Sequence, residues 1–135
     1  MDEYMKLHHI GIIVKDIEKS IKIYSEMGYI QTGEVVIDEI QNNRVVFMEH
    51  PQASLVEFVE PIDSSSSISN FKVGYHHLCF EEEKNENIRD YFGKARIGKI
   101  FTKPMIAPAL DYREIIFAYL RNGTLIEIVL IGKQC

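Results

Sequence analysis

The feature that most constrains this chain is an internal duplication. Residues 7–12 read LHHIGI and residues 75–80 read YHHLCF, so a histidine pair recurs inside a short apolar segment after 68 residues. Residues 55–59, LVEFV, and 125–129, LIEIV, resemble each other in the same way at an offset of 70. Two independent matches at nearly one period predict two copies of one structural unit, and so long a period indicates sub-domain units rather than a solenoid.

Each copy predicts the same order of elements, βαβββ. In the first copy we expect a strand at 7–14, a helix at 17–27 that Asp16 caps and Gly28 ends, and strands near 30–40, 44–49 and 54–60. In the second copy we expect a strand at 74–81, a helix at 85–96, and strands near 99–103, 113–120 and 124–131. One helix per copy beside several strands predicts an α+β fold with both helices on one face of the sheet.

Length and composition predict that the two copies form one domain. The chain has 135 residues, of which 46% are hydrophobic and 26% are charged, and this balance is typical of a single globular domain. We expect a single domain over residues 1–135, with a first module at about 6–62, a linker at 63–72 and a second module at about 73–132. The linker contains the low-complexity stretch DSSSS.

Composition also excludes several classes of function. The net charge is −5, from 15 Lys and Arg against 20 Asp and Glu, and no basic stripe stands out, so we expect no nucleic acid partner. The longest apolar runs, 115–120 and 128–131, fall far below the roughly 18 residues that span a bilayer, so we expect no membrane association. Cys79 and Cys135 are interpreted as free thiols, which, with an acidic N-terminus unlike a signal peptide, predicts a cytoplasmic protein.

A pair of glutamates and a pair of histidines predict a metal site. Glu57 and Glu127 stand in the middle of strongly apolar strands, where a carboxylate is costly to bury unless it is paired or bound to a metal. Any one such residue alone is more typical of a solvated glutamate or a structural histidine. Their repetition in both copies favours a joint site, because two imidazoles and two carboxylates suit a divalent cation. We therefore expect His9, Glu57, His77 and Glu127 to be the ligands.

The neighbouring histidines are interpreted differently. Side chains alternate between the faces of a strand, so His8 and His76 have the opposite orientation to His9 and His77. We expect His8 and His76 to be packing residues on the helix side of the sheet.

These motifs resemble those of the vicinal oxygen chelate superfamily, also called the glyoxalase/bleomycin-resistance/dioxygenase superfamily, over residues 6–131. The motifs are HIGI at 9–12, LVEFVEP at 55–61, YHHLCF at 75–80 and GTLIEI at 123–128. The stretch from KP at 103–104 to REIIF at 113–117 is similar to the branch that contains methylmalonyl-CoA epimerases and glyoxalase I-like proteins. The resemblance implies tandem βαβββ modules that form a cupped mixed sheet around a metal, with the helices on the outer face.

The resemblance also implies an enzyme that removes a proton from the carbon next to a carbonyl group. It implies one divalent metal ion (Ni, Co, Zn or Mn) held by the four residues above, which would stabilise an enediolate or enolate. Glu127 and Glu57 are then the expected catalytic bases on opposite faces of the substrate. Glyoxalase I has Glu at the position of Glu57, whereas epimerases often have Gln. Epimerases of the family also have an extra acid in the third strand, and residues 44–49 offer only the displaced Glu49.

The activity therefore stays open between a lactoylglutathione lyase-type and a methylmalonyl-CoA epimerase-like enzyme, acting on a hemithioacetal or a thioester. The alternatives are a metal-dependent dioxygenase or thiol transferase of the same fold, or a non-catalytic small-molecule binding or resistance protein. Arg44 and Arg113 are candidates to bind an anionic substrate tail, because guanidinium groups bind carboxylate and phosphate in a bidentate manner. Phe47 and Phe117 are candidates to line an apolar substrate pocket. Family members are commonly dimers, which implies a homodimer.

Overall fold

The computed structural model describes residues 5–83 and 87–131. The first half contains β1 (Met5–Ile13), α1 (Ile17–Glu26), β2 (Ile30–Asp38), β3 (Asn43–His50) and β4 (Ala53–Pro61). The second half contains β5 (Gly74–Glu82), α2 (Ile88–Ala95), β6 (Gly98–Ile100), β7 (Met105–Ala107), a 3₁₀ turn (Pro108–Leu110), β8 (Arg113–Leu120) and β9 (Leu125–Val129). The predicted order βαβββ is thus present twice, with one short strand and a 3₁₀ turn added in the second half. The start of the predicted second helix at 85–86 and the second cysteine, Cys135, lie outside the described residues.

The strands form one mixed sheet in the order β2-β3-β4-β1-β5-β9-β8-β6, with β7 paired to β8. The first strands of the two halves, β1 and β5, are antiparallel neighbours at the centre of the sheet. Each of them also pairs in parallel with the last strand of its own half, β1 with β4 and β5 with β9. The predicted mixed sheet is confirmed, and the duplication places equivalent positions of the two halves next to each other.

The first helix covers one face of the first half. The Asp16 carboxylate accepts a hydrogen bond from the Lys19 amide at 3.0 Å, which caps the N-terminus of α1, and Gly28 has a positive φ of 98° just beyond its end. Ile17 of α1 is completely buried against a cluster that contains Val46 and Phe58. This burial fixes which face of β3 and β4 is turned toward the helix.

The second helix covers the same face in the second half. The Asn87 side chain accepts hydrogen bonds from the first amides of α2, and Phe92 of α2 packs with Ile116, Ile126 and Ile128 of β8 and β9. Because residues alternate along a strand, the side chains between these positions are turned to the opposite face. The predicted arrangement of both helices on one outer face is confirmed.

The short strand β7 was not predicted, and its length together with the prolines on both sides explains why. A three-residue strand has too few positions to show an alternating pattern, and Pro104 and Pro108 flank it.

Among the described residues, no helix is long and apolar enough to cross a membrane.

Candidate functional site

Four central strands bring the predicted metal ligands together. His9 lies on β1, Glu57 on β4, His77 on β5 and Glu127 on β9, and all four side chains are buried on the face opposite the helices. In the strand pairing, Gly11 is the partner of both Glu57 and His77. In the second half, Cys79 is in the same way the partner of both His9 and Glu127. The two halves thus build the same half-site around a small residue.

The four ligand atoms face one another at short range. His9 Nε2 lies 3.4 Å from Glu57 Oε1 and 3.2 Å from Glu127 Oε1. His77 Nε2 lies 3.5 and 3.3 Å from the same two oxygens, and the two Nε2 atoms are 3.3 Å apart. Four ligand atoms spaced in this way surround a common point on the face of the sheet opposite the helices.

These residues fit a divalent metal ion. Bonds of about 2.1 Å from an ion to nitrogen and oxygen ligands place neighbouring ligands roughly 3.0–3.4 Å apart in octahedral or tetrahedral geometry, which is close to the spacing found here. Glu127 Oε1 is buried and has no hydrogen-bond partner of ordinary geometry, which is costly unless a cation balances its charge. Imidazole with carboxylate is also a donor set that suits first-row divalent metals.

The electrostatics of the site reflect this crowding. Burial opposes a charge on His9, but the Glu57 and Glu127 carboxylates outweigh it and raise the pKa of His9 to about 10. Burial likewise opposes the charge of Glu127, but the His77 and His9 imidazoles, 3.3 and 3.2 Å from its Oε1, outweigh it and bring the pKa of Glu127 far below its usual value. Without a metal, positive charge on the His9 imidazole therefore offsets the buried carboxylates, and a divalent cation can take over that role.

The close approach of β1 and β5 requires a glycine at position 11. A Cβ atom on Gly11 would lie 2.1 Å from Cε1 of His77 and 2.4 Å from its Nδ1. The His77 ring thus occupies the space that any other side chain at position 11 would need. Cys79, at the equivalent position of the second half, is a buried free thiol whose pKa is raised by burial and by Glu127.

His8 and His76 were expected to be packing residues, and the structure gives them polar contacts that this expectation missed. His8 Nδ1 lies 2.8 Å from Nδ1 of His9, and His76 Nδ1 lies 2.8 Å from Nδ1 of His77. The reason is a register shift in the pairing of β1 with β5 at both places, which leaves each of these two residues without a cross-strand partner. A bulge of this kind turns a side chain away from the strict alternation of a regular strand.

A small cavity is lined by three of the four candidate ligands, and a larger cleft adjoins it. The small cavity of about 30 Å³ is lined by polar groups that include Asp38, Glu57, His77 and Glu127. The larger cleft of about 360 Å³ is lined mainly by apolar and aromatic side chains. Four residues line both: Gln41, Ile68, His76 and Phe117. The arrangement joins a polar centre to a cleft of the size of a small organic group.

Asp38 is a further candidate site residue, which no sequence pattern indicated. Its carboxylate at the end of β2 is 5% exposed and lines the small cavity. Burial, together with the Glu57 charge, raises the pKa of Asp38 even though backbone amides at Ile40 and Gln41 donate hydrogen bonds to it. In the sequence Asp38 stands within the polar run DEIQNN, which is typical of a solvated turn. Only its burial in the folded structure therefore distinguishes it from an ordinary surface acid.

The other predicted site residues divide into two groups. Phe117 lines both cavities, and the Phe47 ring lies 5.0 Å from that of His9. Arg44 is instead paired with Glu18 and Glu60, and Arg113 with Glu81. Neither arginine lines the two cavities just described. The ion pairs with neighbouring acids hold each guanidinium at the end of its strand. The displaced candidate Glu49 is exposed.

Comparison with known proteins agrees with this architecture. The sequence profile of the Glyoxalase/Bleomycin resistance protein/Dioxygenase superfamily matches residues 8–96, and the chain belongs to this superfamily. Its resemblance to methylmalonyl-CoA epimerases is more specific. The mitochondrial methylmalonyl-CoA epimerase of Mus musculus is 30% identical over an alignment that covers 75% of this chain and 64% of that protein. The chain thus spans less than two thirds of this relative.

Solved structures show the same fold. Methylmalonyl-CoA epimerase from Mycobacterium tuberculosis superposes with a TM-score of 0.78 at 22% identity, covering 94% of this chain and 88% of the other. A variant of Streptomyces coelicolor methylmalonyl-CoA epimerase in complex with 2-nitronate-propionyl-CoA gives a TM-score of 0.77 at 18% identity, with coverages of 97% and 100%. The expected cupped α+β fold with tandem modules is therefore confirmed, and the relatives are enzymes of the epimerase type.

Proposed function

We propose that this protein is a divalent-metal-dependent epimerase that inverts the carbon next to the carbonyl of an acyl thioester, in the manner of methylmalonyl-CoA epimerase. The observation that carries the proposal is the convergence of two imidazole nitrogens and two carboxylate oxygens at 3.2–3.5 Å, beside a cleft of about 360 Å³. The names of the relatives support an acyl-CoA thioester as the substrate class.

The residues supply the acid–base chemistry that an epimerisation needs. A divalent ion held by His9, Glu57, His77 and Glu127 would act as a Lewis acid that favours negative charge on the thioester oxygen. A carboxylate on one face takes the proton from the α-carbon, and the C–H electron pair moves into the enolate. A proton returned to the same carbon from the other face inverts the centre, so no atom is gained or lost. Glu127 and Glu57 are our proposed bases for the two faces.

Asp38 adds a third carboxylate to this proposal. It lies on the small cavity but outside the group of four whose ligand atoms all lie within 4.8 Å of one another. Burial and the Glu57 charge raise the pKa of Asp38, so its carboxyl holds a proton more readily than an exposed aspartate does, which suits a group that returns a proton. We propose that Asp38 shares the proton-transfer role with Glu57.

The test is exchange of the α-proton of methylmalonyl-CoA in deuterated water by metal-loaded protein. We expect Glu127→Gln, Glu57→Gln and Asp38→Asn each to lower turnover by about 10²- to 10⁴-fold, the usual loss when an acid–base group is removed, with a much smaller effect on substrate affinity. Glu49→Gln, which changes an exposed acid of β3, is the matched control and should exchange the proton at the rate of the unmodified protein. Unchanged turnover in any of the three variants would refute the role of that residue.

A lactoylglutathione lyase-type activity is the second candidate. It is favoured by an acid rather than an amide at position 57, as in glyoxalase I. Assaying the same protein with methylglyoxal and a thiol separates the two, since a hemithioacetal substrate would give turnover there and none with the acyl thioester. Binding of either compound without α-proton exchange would instead identify a binding or resistance protein.

The metal identity, a homodimer and the cytoplasmic location stay predictions. The mouse relative is mitochondrial by name, so its compartment differs from the one that the composition predicts here.

A further inference from the structure

His76 is polar, partly buried and without an assigned role. Its Nδ1 lies 2.8 Å from Nδ1 of His77, whereas its Nε2 is buried and has no hydrogen-bond partner. The ring of Phe71 packs at right angles to that of His76, with centroids 4.7 Å apart, but offers it only carbon and hydrogen atoms. A buried nitrogen without a partner is uncommon in a folded protein and costs free energy.

With a metal bound at Nε2 of His77, the contact between the two rings assigns their protons. Nε2 of His77 faces Glu57, Glu127 and His9, so Nε2 is the nitrogen available to a metal. A neutral His77 that binds through Nε2 carries its proton on Nδ1 and donates it to Nδ1 of His76. A ring that accepts at Nδ1 carries its own proton on Nε2. The buried, unpartnered atom of His76 is therefore an N–H donor.

The position of His76 points to what would accept this hydrogen bond. His76 lines both the small polar cavity at the ligands and the larger apolar cleft. A substrate whose reacting carbon lies at the metal site and whose tail lies in the cleft passes the residues that line both cavities, and His76 is one of them. In an acyl thioester, the group between the reacting carbon and the tail is the thioester carbonyl.

We propose that His76 donates its Nε2–H to the carbonyl oxygen of the bound thioester, while its Nδ1 orients the metal ligand His77. The assignment of the acceptor rests on the proposed function. His76 is thus a substrate-binding residue on one side of its ring and a positioning residue on the other. An oxygen accepts a stronger hydrogen bond than an aromatic ring, so the ligand satisfies a donor that the protein alone leaves unsatisfied.

His8 provides a matched control within the same chain. It makes the same 2.8 Å contact to the ligand His9 that His76 makes to His77. It does not line either of the two cavities described above. A role confined to orienting a metal ligand is open to both residues, whereas a contact with substrate is open only to His76.

Two amide substitutions at position 76 distinguish the roles of the two ring nitrogens. His76→Asn keeps an acceptor near the Nδ1 position and removes the Nε2–H, while His76→Gln places an amide near Nε2 and removes the Nδ1 acceptor. For zinc-loaded protein, we expect His76→Asn to bind 2-nitronate-propionyl-CoA about tenfold more weakly, with zinc affinity within threefold of the unmodified protein. His76→Gln should show the reverse, a zinc affinity lowered about tenfold or more and a smaller loss for the nitronate. His8→Asn should leave the nitronate affinity unchanged.

Nitrogen NMR of the zinc-loaded protein without substrate gives an independent readout. We expect the His76 ring to be protonated at Nε2 and not at Nδ1. The inference is overturned if His76 carries its proton on Nδ1, if His76→Asn binds the nitronate as tightly as the unmodified protein, or if His8→Asn loses as much affinity as His76→Asn. If the unmodified protein binds no nitronate, the proposed thioester substrate fails and the acceptor assigned to His76 fails with it. That outcome is distinct from a loss of nitronate affinity that occurs only in His76→Asn.

Discussion

At the scale of single residues, the site depends on space as much as on chemistry. Gly11 is the strand partner of both Glu57 and His77, and the His77 ring lies where its side chain would be. His9 has Cys79 as its partner across the sheet, which is the equivalent position of the second half. The sequence predicted these four residues as ligands because each interrupts an apolar strand, but the need for a glycine at position 11 depends on the pairing of β1 with β5.

Replacing Gly11 tests whether this space holds the metal site together. We expect Gly11→Ala to displace the His77 ring, because the new Cβ would lie 2.1 Å from its Cε1, and to lower zinc affinity at least tenfold. Isothermal titration with zinc measures this loss. Gly93→Ala is the control, since nothing lies within 4 Å of its Cβ position in α2, and it should keep zinc affinity and stabilise the protein by up to about 1 kcal/mol. An unchanged zinc affinity in Gly11→Ala would contradict this, because it would show that the His77 ring can shift and still bind the metal.

At the scale of elements, bulges and helix caps decide which side chains reach the site. The register shifts on β1 and β5 turn His8 and His76 toward the ligand histidines, against the alternation expected for regular strands. Periodicity located both strands but could not locate the bulges, because a bulge depends on the pairing of two strands distant in sequence.

The orientation of α1 depends on Glu60 at the end of β4. Its Oε2 accepts a hydrogen bond from the Ile17 amide at 2.7 Å, and Arg44 donates to its Oε1 at 2.9 Å. We expect Glu60→Ala to lower the free energy of unfolding by about 1.5–3 kcal/mol, because it leaves the Ile17 amide without its charged acceptor and removes one of the two acids that pair with Arg44. Chemical denaturation measures the loss. Glu18→Ala removes only the exposed acid of the same group, and an equal loss there would contradict the assigned role of Glu60.

At the scale of the whole molecule, the two halves meet along β1 and β5 and each contributes one imidazole and one carboxylate. Buried carboxylates repel each other, and a buried imidazole alone lacks a polar partner. The sheet holds the four groups together because it buries apolar clusters on both of its faces. A cation bound at this junction links the halves, so its binding free energy adds to the stability of the fold.

Removal of the metal should therefore lower the thermal stability. At a free zinc concentration about 100-fold above the Kd, a ligand that binds only the folded state stabilises it by about 2.7 kcal/mol, and chelation should abolish this gain. Calorimetry of zinc-loaded and chelator-treated protein measures the shift in Tm. His9→Ala is the control and should show a much smaller shift, since it lacks one of the four ligands. Equal shifts in both proteins would place the zinc elsewhere.

The sequence by itself determined the duplicated βαβββ order and the placement of both helices on one face, and it singled out His9, Glu57, His77 and Glu127 as candidate metal ligands. These follow from local periodicity and from polar residues placed against an apolar pattern, both of which are written along the chain. Only the tertiary structure decided that Asp38 lies on the ligand cavity, that Arg44 and Arg113 are paired with neighbouring acids, and that His76 joins the cavity to the cleft. Those outcomes depend on strand register and on which distant residues share a space, and no local pattern encodes either.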